Sequence, residues 1–432
     1  MKINSARTQG VDNRRPYGLP MAAALAVGGM IGPGIFLLPG QIARFGMVSV
    51  AGWSCAIAGA MLLAWLIGKL TQAMPDADGA VTMCTRALGP IPGVLIGWSY
   101  WASNCSANAF YALGAVRYLA LVFPKLAANT DILIMSANII LWGLTVLNLG
   151  GARGVGWFQL VSTVLKLIPL IVALLVVMWL GAHGMLTEVQ PHVPLQIPTI
   201  THAIGYIFFA MLGFEGVAVV AGMVREPAHN VPRAMMLGTG LTGGLYLILC
   251  TGILLALPNA ALRTSGAPVA FFLETYLGHG VGPVVSLFVA IAAIGALNGW
   301  LLINAELPLG MARAGLLPKA FTRLSGRDVP VRLLLLSSGT SCAMILFGRG
   351  QTTSGLLDFM QTVTTASNLW LYVGVCCALI MRGIVRMPAL IALAFSFWVI
   401  WGTGWEAVRD SLLLMATVIP LYYFNYLAKK SS

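Results

Sequence analysis

Residues 28–40 read GGMIGPGIFLLPG and interrupt an apolar run that is otherwise long enough to form a membrane-spanning helix. Four glycines and one proline fall within residues 28–34. Glycine weakens a helix and Pro33 removes a backbone donor from it. Close helix packing explains a single glycine pair better than it explains this cluster. We therefore expect an unwound segment between two half-helices.

A second interruption, Gly213-Phe214-Glu215-Gly216, lies in the sixth apolar run. The first and sixth runs open two successive five-span units, and paired breaks at corresponding places indicate an inverted-repeat transporter with a site near the membrane midplane. Amides freed at the start of a half-helix suit a carboxylate, and carbonyls freed at the end of one suit an ammonium. Together the two breaks predict a receptor for the head group of an amino acid.

The composition excludes a soluble fold. Of the 432 residues, 59% are hydrophobic and 9% are charged, against roughly 45–50% and 25% in soluble domains. The sequence predicts an all-α integral membrane protein with 12 transmembrane helices in one polytopic domain. Repeat one covers about 17–180, repeat two about 200–380, and two appended helices about 386–427. The predicted spans are 17–41, 48–70, 93–121, 131–149, 154–180, 200–222, 234–257, 280–304, 331–348, 354–380, 386–403 and 406–427.

The basic residues orient these spans. With the N terminus inside, eighteen of the 25 Lys and Arg residues fall in inside segments, six fall outside, and Lys166 lies within a span. This bias predicts cytoplasmic termini at 1–16 and 428–432 in a multi-pass protein of the cytoplasmic (inner) membrane. The net charge of +12 is accounted for by loop orientation, so no nucleic acid partner is expected. Neither the cysteines nor the histidines have metal-ligand spacing, and no metal or cofactor is expected.

Four motifs carry a family resemblance: residues 28–40, 212–235, 258–268 and 310–321. In this order they resemble the amino acid, polyamine and organocation (APC) superfamily of transporters, and within it the bacterial basic amino acid and polyamine antiporters, such as the arginine-agmatine exchanger. The resemblance implies five plus five inverted spans with two appended helices and alternating access. It also implies exchange or proton-coupled movement of amino acids or amines, contact with membrane lipid, and, as one alternative for the assembly, a homodimer.

The same resemblance implies a head-group site. The backbone of Gly32, Pro33 and Gly34 would hold the substrate carboxylate, and carbonyls near Met30, Phe209 and Leu212 would hold the amino group. The antiporters usually have serine where this chain has Pro33, and the arginine exchanger has tryptophan where this chain has Phe209. These departures count against arginine as the substrate.

Polar and aromatic side chains predict the rest of the pocket. Tyr100, Asn104 and Asn108 are spaced i, i+4 and i+8, which places them on one helix face. They either bridge helices by hydrogen bonds or bind substrate, and the resemblance implies that Asn108 contacts the distal end of the substrate. It likewise implies that Trp300 stacks on the substrate. Thr365, with Thr364 and Ser367, would complete a polar wall.

Two ionisable residues lie within spans, where charge is costly and usually functional. Glu215 follows the second break and matches a gating glutamate of the antiporters. Lys166 is too deep for its stem to snorkel, and in other superfamily members a lysine here takes the place of a coupling sodium and contacts the first break. Both are predicted gating or coupling residues, with a structural tie as the alternative for each. The lysine predicts sodium-independent transport.

Three other functions stay open at this point. The first is proton-coupled symport of neutral amino acids, since no carboxylate is placed to neutralise a cationic substrate tail. The second is a channel, which should show a repeated filter motif. The third is an intramembrane enzyme, which would need a nucleophile or metal constellation that the sequence does not show.

Overall fold

The computed structural model describes residues 17–75, 77, 79–150, 155–219, 221–325, 329–348 and 352–430. Within them the chain is helical, and the only β-type pairing is an isolated bridge between Tyr17 and Val224. The eighteen α-helices of this part are α1 Leu19–Met30, α2 Gly34–Ile42, α3 Val48–Ala73, α4 Gly79–Leu88, α5 Pro90–Leu119, α6 Thr130–Leu149, α7 Val155–Ala182, α8 Ile197–Ala210, α9 Gly216–Val219, α10 Pro227–Ala256, α11 Asn259–Thr264, α12 Pro268–Leu277, α13 Val281–Arg313, α14 Val331–Phe347, α15 Thr353–Met381, α16 Arg386–Gly402, α17 Trp405–Ala416 and α18 Val418–Lys430.

The helices confirm the predicted all-α membrane fold. Seven helical stretches of the described residues are long and apolar enough to cross a membrane, and one of them runs through α17 and α18. Helices α1 and α2 form an eighth span if the bent pair is counted as one. Each of the twelve predicted spans coincides with a helix or a helix pair. Several of these helices are shorter or more polar than a simple span, for example α8, α14 and α16. The total of twelve spans and the division into two repeats therefore stay predictions.

Helix α5 is the central scaffold, because it packs against both α13 and α15. Three of its buried serines, spaced four and three residues apart, face the backbone of α15. Their hydroxyls donate to the carbonyls of Ser367, Thr364 and Met360 at 2.8–2.9 Å. Small side chains allow this close approach, and each such bond stabilises the pair by about 0.6 kcal/mol. The interface holds α5 and α15 together beside the site.

Candidate functional site

The first predicted interruption is present. Helix α1 ends at Met30 and α2 begins at Gly34, with an angle of 49° between the two helical segments. The last helical hydrogen bond of α1 runs from the Ile31 amide to the Val27 carbonyl at 3.0 Å. The carbonyls that follow Val27 consequently lack donors within α1, and the first amides of α2 lack acceptors within α2.

The second interruption touches the first. Helix α8 ends at Ala210, the chain turns through residues 211–215, and α9 begins at Gly216. Gly213 has φ of +109°, a conformation that favours glycine. A Cβ atom on Gly213 would lie 2.6 Å from the Gly29 carbonyl oxygen, and one on Gly29 would lie 2.9 Å from the Gly213 carbonyl oxygen. The two backbones can meet only because both positions are glycine.

Glu215 organises the second break. It is 2% exposed, and its two carboxylate oxygens accept three hydrogen bonds. Oε2 accepts from the Gly213 amide at 2.9 Å and from the Tyr372 hydroxyl at 2.8 Å, while Oε1 accepts from Asn368 Nδ2 at 3.2 Å. Since a carboxylate accepts on both oxygens, these donors tie the turn after α8 to α15.

Two carbonyls freed at the end of α1 have side-chain donors. Lys166 Nζ on α7 donates to the Gly28 carbonyl at 2.7 Å, and the side chain is 4% exposed. The Tyr246 hydroxyl on α10 donates to the Met30 carbonyl at 3.1 Å. A carbonyl oxygen has two lone pairs, so the Met30 carbonyl can still accept a second donor.

A small cavity lies where the two breaks meet. Its volume is about 30 Å³, and because a water molecule needs about 10–15 Å³, it would hold two or three waters. Eight of the predicted site residues line it: Met30, Gly32, Gly34, Asn104, Phe209, Leu212, Glu215 and Trp300. Among the described lining residues, Glu215 alone carries a formal charge, and it is already engaged on both oxygens.

The other predicted residues do not line the cavity. Pro33 is buried, and Tyr100 lies beside Asn104 and Glu215. Asn108 is fully buried, and neither of its side-chain polar atoms has a hydrogen-bond partner in the described part of the chain. Thr365 donates to the Gln361 carbonyl at 2.9 Å, and Thr364 lines the cavity in its place.

The sequence prediction missed three polar or aromatic lining residues. They are Ser103 and Tyr111 on α5 and Asn368 on α15. At 100° per residue, Tyr111 lies only 20° from Asn104 around α5, whereas Asn108 lies 40° away on the other side. Following the helix by i+7 as well as i+4 would therefore have found Tyr111.

The cavity wall offers free polar atoms. The side-chain nitrogen of Asn104 and the side-chain oxygen of Asn368 have no hydrogen-bond partner among the described residues. Gly34 at the start of α2, Met30 at the end of α1 and Leu212 two residues after α8 line the same cavity. Backbone groups at such helix ends have no partner within their own helix. This arrangement suits a small molecule that carries both a carboxylate and an ammonium.

Comparison with known proteins places the cavity residues within a region that matches one transporter family. A family model described as amino acid permease matches residues 17–422. The cadaverine/lysine antiporter of Escherichia coli (strain K12) is 31% identical over 338 residues, which cover 78% of this chain and 76% of that protein. The putrescine transporter PotE of the same strain is 25% identical over 405 residues, 90% of this chain and 92% of that protein. The matched region includes both breaks and every lining residue.

Proposed function

Because the chain belongs to the amino acid permease family, we propose that it exchanges amino acids or related amines across the cytoplasmic membrane by alternating access. It is a multi-pass membrane transporter and not an enzyme. The observation that carries the proposal is the meeting of two broken helices at one cavity, since the Gly29 and Gly213 backbones are in direct contact. Relatives named as a cadaverine/lysine antiporter and a putrescine transporter support this substrate class.

The substrate head group would bind between the breaks. Amides of Gly32 and Gly34 would hold the carboxylate, while Pro33 contributes no amide hydrogen. Carbonyls of Met30, Phe209 and Leu212 would hold the ammonium. The short distances around Gly34 support a tight site, because a Cβ there would lie 2.6 Å from the Phe209 ring.

The substrate side chain would extend toward α5 and α13. Trp300 would contact it through its ring, and Asn104 would contact it through the amide nitrogen that has no partner among the described residues. A cavity of about 30 Å³ is smaller than an amino acid, so binding requires the pocket to widen. Tyr100, Asn108 and Thr365 would then come within reach.

Lys166 and Glu215 would couple binding to the conformational cycle. The ammonium of Lys166 already donates a hydrogen bond to the Gly28 carbonyl. This carbonyl is freed at the break and could otherwise coordinate a cation. We therefore propose sodium-independent exchange or proton-coupled transport. Glu215 would carry motion of the second break to α15 through Asn368 and Tyr372.

Membrane topology is part of the same proposal. Both termini would be cytoplasmic, as the excess of inside arginines and lysines predicts. Residues 17–180 and 200–380 would form the two inverted repeats, and 386–427 the appended pair, with lipid on the outer faces. A homodimer is a prediction of the resemblance alone.

Proton-coupled symport of neutral amino acids is the second candidate. The observation that favours it is the absence, among the described lining residues, of a carboxylate free to pair with a cationic substrate tail. Cation–π contact with Trp300 would contribute about 1–2 kcal/mol to the binding of such a tail. The two candidates differ in whether a diamine can compete for the pocket.

The test is counterflow into proteoliposomes that contain the purified protein. Vesicles loaded with L-lysine, cadaverine or L-leucine are diluted into each radiolabelled compound, with sodium or potassium outside. Exchange predicts uptake that depends on the internal compound and is equal in the two cations. Uptake without trans-stimulation would indicate a channel, and leucine uptake driven by a pH gradient alone would favour symport. Gly34→Leu is the matched inactive control, because its side chain would collide with Phe209.

A further inference from the structure

A second cavity, of about 210 Å³, lies at the far end of α2 from the first break. Its wall carries three arginines and one aspartate: Arg44 after α2, Arg117 in the last turn of α5, Arg263 in the last turn of α11, and Asp358 near the start of α15. We refer to this space as the arginine vestibule. Three guanidinium groups against one carboxylate leave its wall with two net positive charges.

Only one of these arginines is neutralised. Arg44 Nη2 pairs with Asp358 Oδ2 at 3.0 Å, and its guanidinium lies 4.2 Å from the ring centroid of Tyr206. Asp358 also accepts from Gln41 Nε2 at 2.8 Å. In the residues that the structure describes, Arg117 and Arg263 form no ion pair with a carboxylate. Asp358 is the one carboxylate on the vestibule wall, so positive charge is in excess there.

The vestibule lies directly in line with the central cavity. Helix α2 contributes Ile35 to the central cavity and Gln41 to the vestibule, and α15 contributes Thr364 and Asp358 in the same way. Six residues of helix correspond to about 9 Å. A molecule that leaves the central cavity on this side therefore passes the arginines within one substrate length.

The position of these arginines is unusual for a membrane protein. The topology proposed above places all three on the outer side, where basic residues are generally scarce. Half of the six outside basic residues are thus gathered in one cavity. A cleft with one sign of charge concentrates ligands of the opposite sign and repels those of the same sign.

We propose that the arginine vestibule is a second binding site, which holds the carboxylate of an amino acid on its way between the outside and the central cavity. The guanidinium groups of Arg117 and Arg263 bind the carboxylate, for which their geometry is suited. A decarboxylated diamine carries two positive charges and no carboxylate, so it is repelled. The vestibule thereby favours entry of the amino acid and release of the amine. This inference rests on the proposed function and on its topology.

The test measures the vestibule without requiring transport. Ser354 lines the cavity and is exposed, so Ser354→Cys places a thiol there. Its labelling rates by a negative methanethiosulfonate (sulfonatoethyl) and a positive one (trimethylammonioethyl) are compared in proteoliposomes. Val189→Cys is the control, because Val189 is 90% exposed, lies in a predicted outside loop and does not line the vestibule. Unmodified protein corrects for the native cysteines.

We expect the negative-to-positive rate ratio at Ser354→Cys to exceed that at Val189→Cys on the order of tenfold. The added substitutions Arg117→Gln and Arg263→Gln should abolish the excess, and L-lysine should slow labelling more than cadaverine does. Equal ratios at the two cysteines, or an excess that survives the arginine substitutions, would overturn the electrostatic assignment. Absence of protection by L-lysine, L-leucine and L-glutamate would overturn the binding site. A high ratio in a protein that fails the counterflow test would refute the transport proposal while the charged vestibule stands.

Discussion

Replacing Glu215 with alanine should destabilise the second break more than any conservative change at the same site. The substitution leaves three buried donors without their acceptor: the Gly213 amide, the Tyr372 hydroxyl and the Asn368 amide. Hydrogen bonds to charged groups contribute about 1.5–3 kcal/mol in soluble proteins, and interhelical bonds in membranes contribute about 0.6–1.7 kcal/mol. At about 1–2 kcal/mol for each donor, the expected loss in the free energy of unfolding is about 3–6 kcal/mol.

Glu215→Gln is the matched control, because the structure can accommodate it. The glutamine oxygen can accept from Gly213 and Tyr372, while its NH2 group meets Asn368. The side-chain oxygen of Asn368 has no partner among the described residues, so rotation of that amide supplies an acceptor. The hydrogen bonds remain but are no longer charge-assisted, which should lower the free energy of unfolding by about 1–2 kcal/mol. Tyr372→Phe removes a single donor and should cost about 1 kcal/mol.

The assay combines unfolding of the purified protein in detergent with equilibrium substrate binding and counterflow. We expect Glu215→Ala to lose the most stability. Glu215→Gln and Tyr372→Phe should each lose less, and by similar amounts. We also expect the glutamine variant to bind substrate but to exchange it more slowly. An alanine variant as stable as the wild type would refute the assignment of Glu215 as the organiser of the break. A glutamine variant as damaged as alanine would show that charge, and not hydrogen-bond geometry, holds the turn.

Three further predictions concern the first break and the pocket wall. Gly29→Ala should weaken substrate affinity at least about tenfold by forcing the two breaks apart. Gly28→Ala, whose Cβ would meet open space, should leave the affinity measured by equilibrium binding unchanged. Equal affinities of the two variants would refute the contact between the breaks as the determinant of affinity. Lys166→Met should strongly reduce counterflow while substrate binding is less affected. Transport by the wild type should be the same in sodium and in potassium. Full activity of Lys166→Met at every pH would identify the lysine as a structural tie. Asn104→Ala should raise the dissociation constant more than Asn108→Ala, because only Asn104 lines the cavity; the opposite ranking in the same titration would favour the register that the resemblance implies.

The sequence was sufficient where the physical cause is local. Glycine and proline act on the helix that contains them, so the break between Met30 and Gly34 could be located from the residues alone. A charge in the middle of an apolar run must find a partner, so the residues alone predicted that Lys166 has one. That this partner belongs to the first break was implied by the family resemblance, and Lys166 Nζ donates to the Gly28 carbonyl. The spans could likewise be placed from hydropathy, although helices as short as α8 do not meet a span criterion by themselves.

Contacts between distant segments could not be predicted in the same way. Glu215 is bonded to residues more than 150 positions away, and the arginine vestibule joins residues from four separate helix ends. Which side of α5 faces the cavity depends on how α13 and α15 pack against it, so Tyr111 lines the wall while Asn108 does not. Hydropathy and helix-breaking residues determined that this chain crosses the membrane as helices with two interruptions, because those effects depend on neighbours along the chain. The tertiary structure decided which freed backbone groups meet, which charges stay unpaired and where the cavities lie, because helix rotation and packing bring together residues whose sequence positions carry no information about one another.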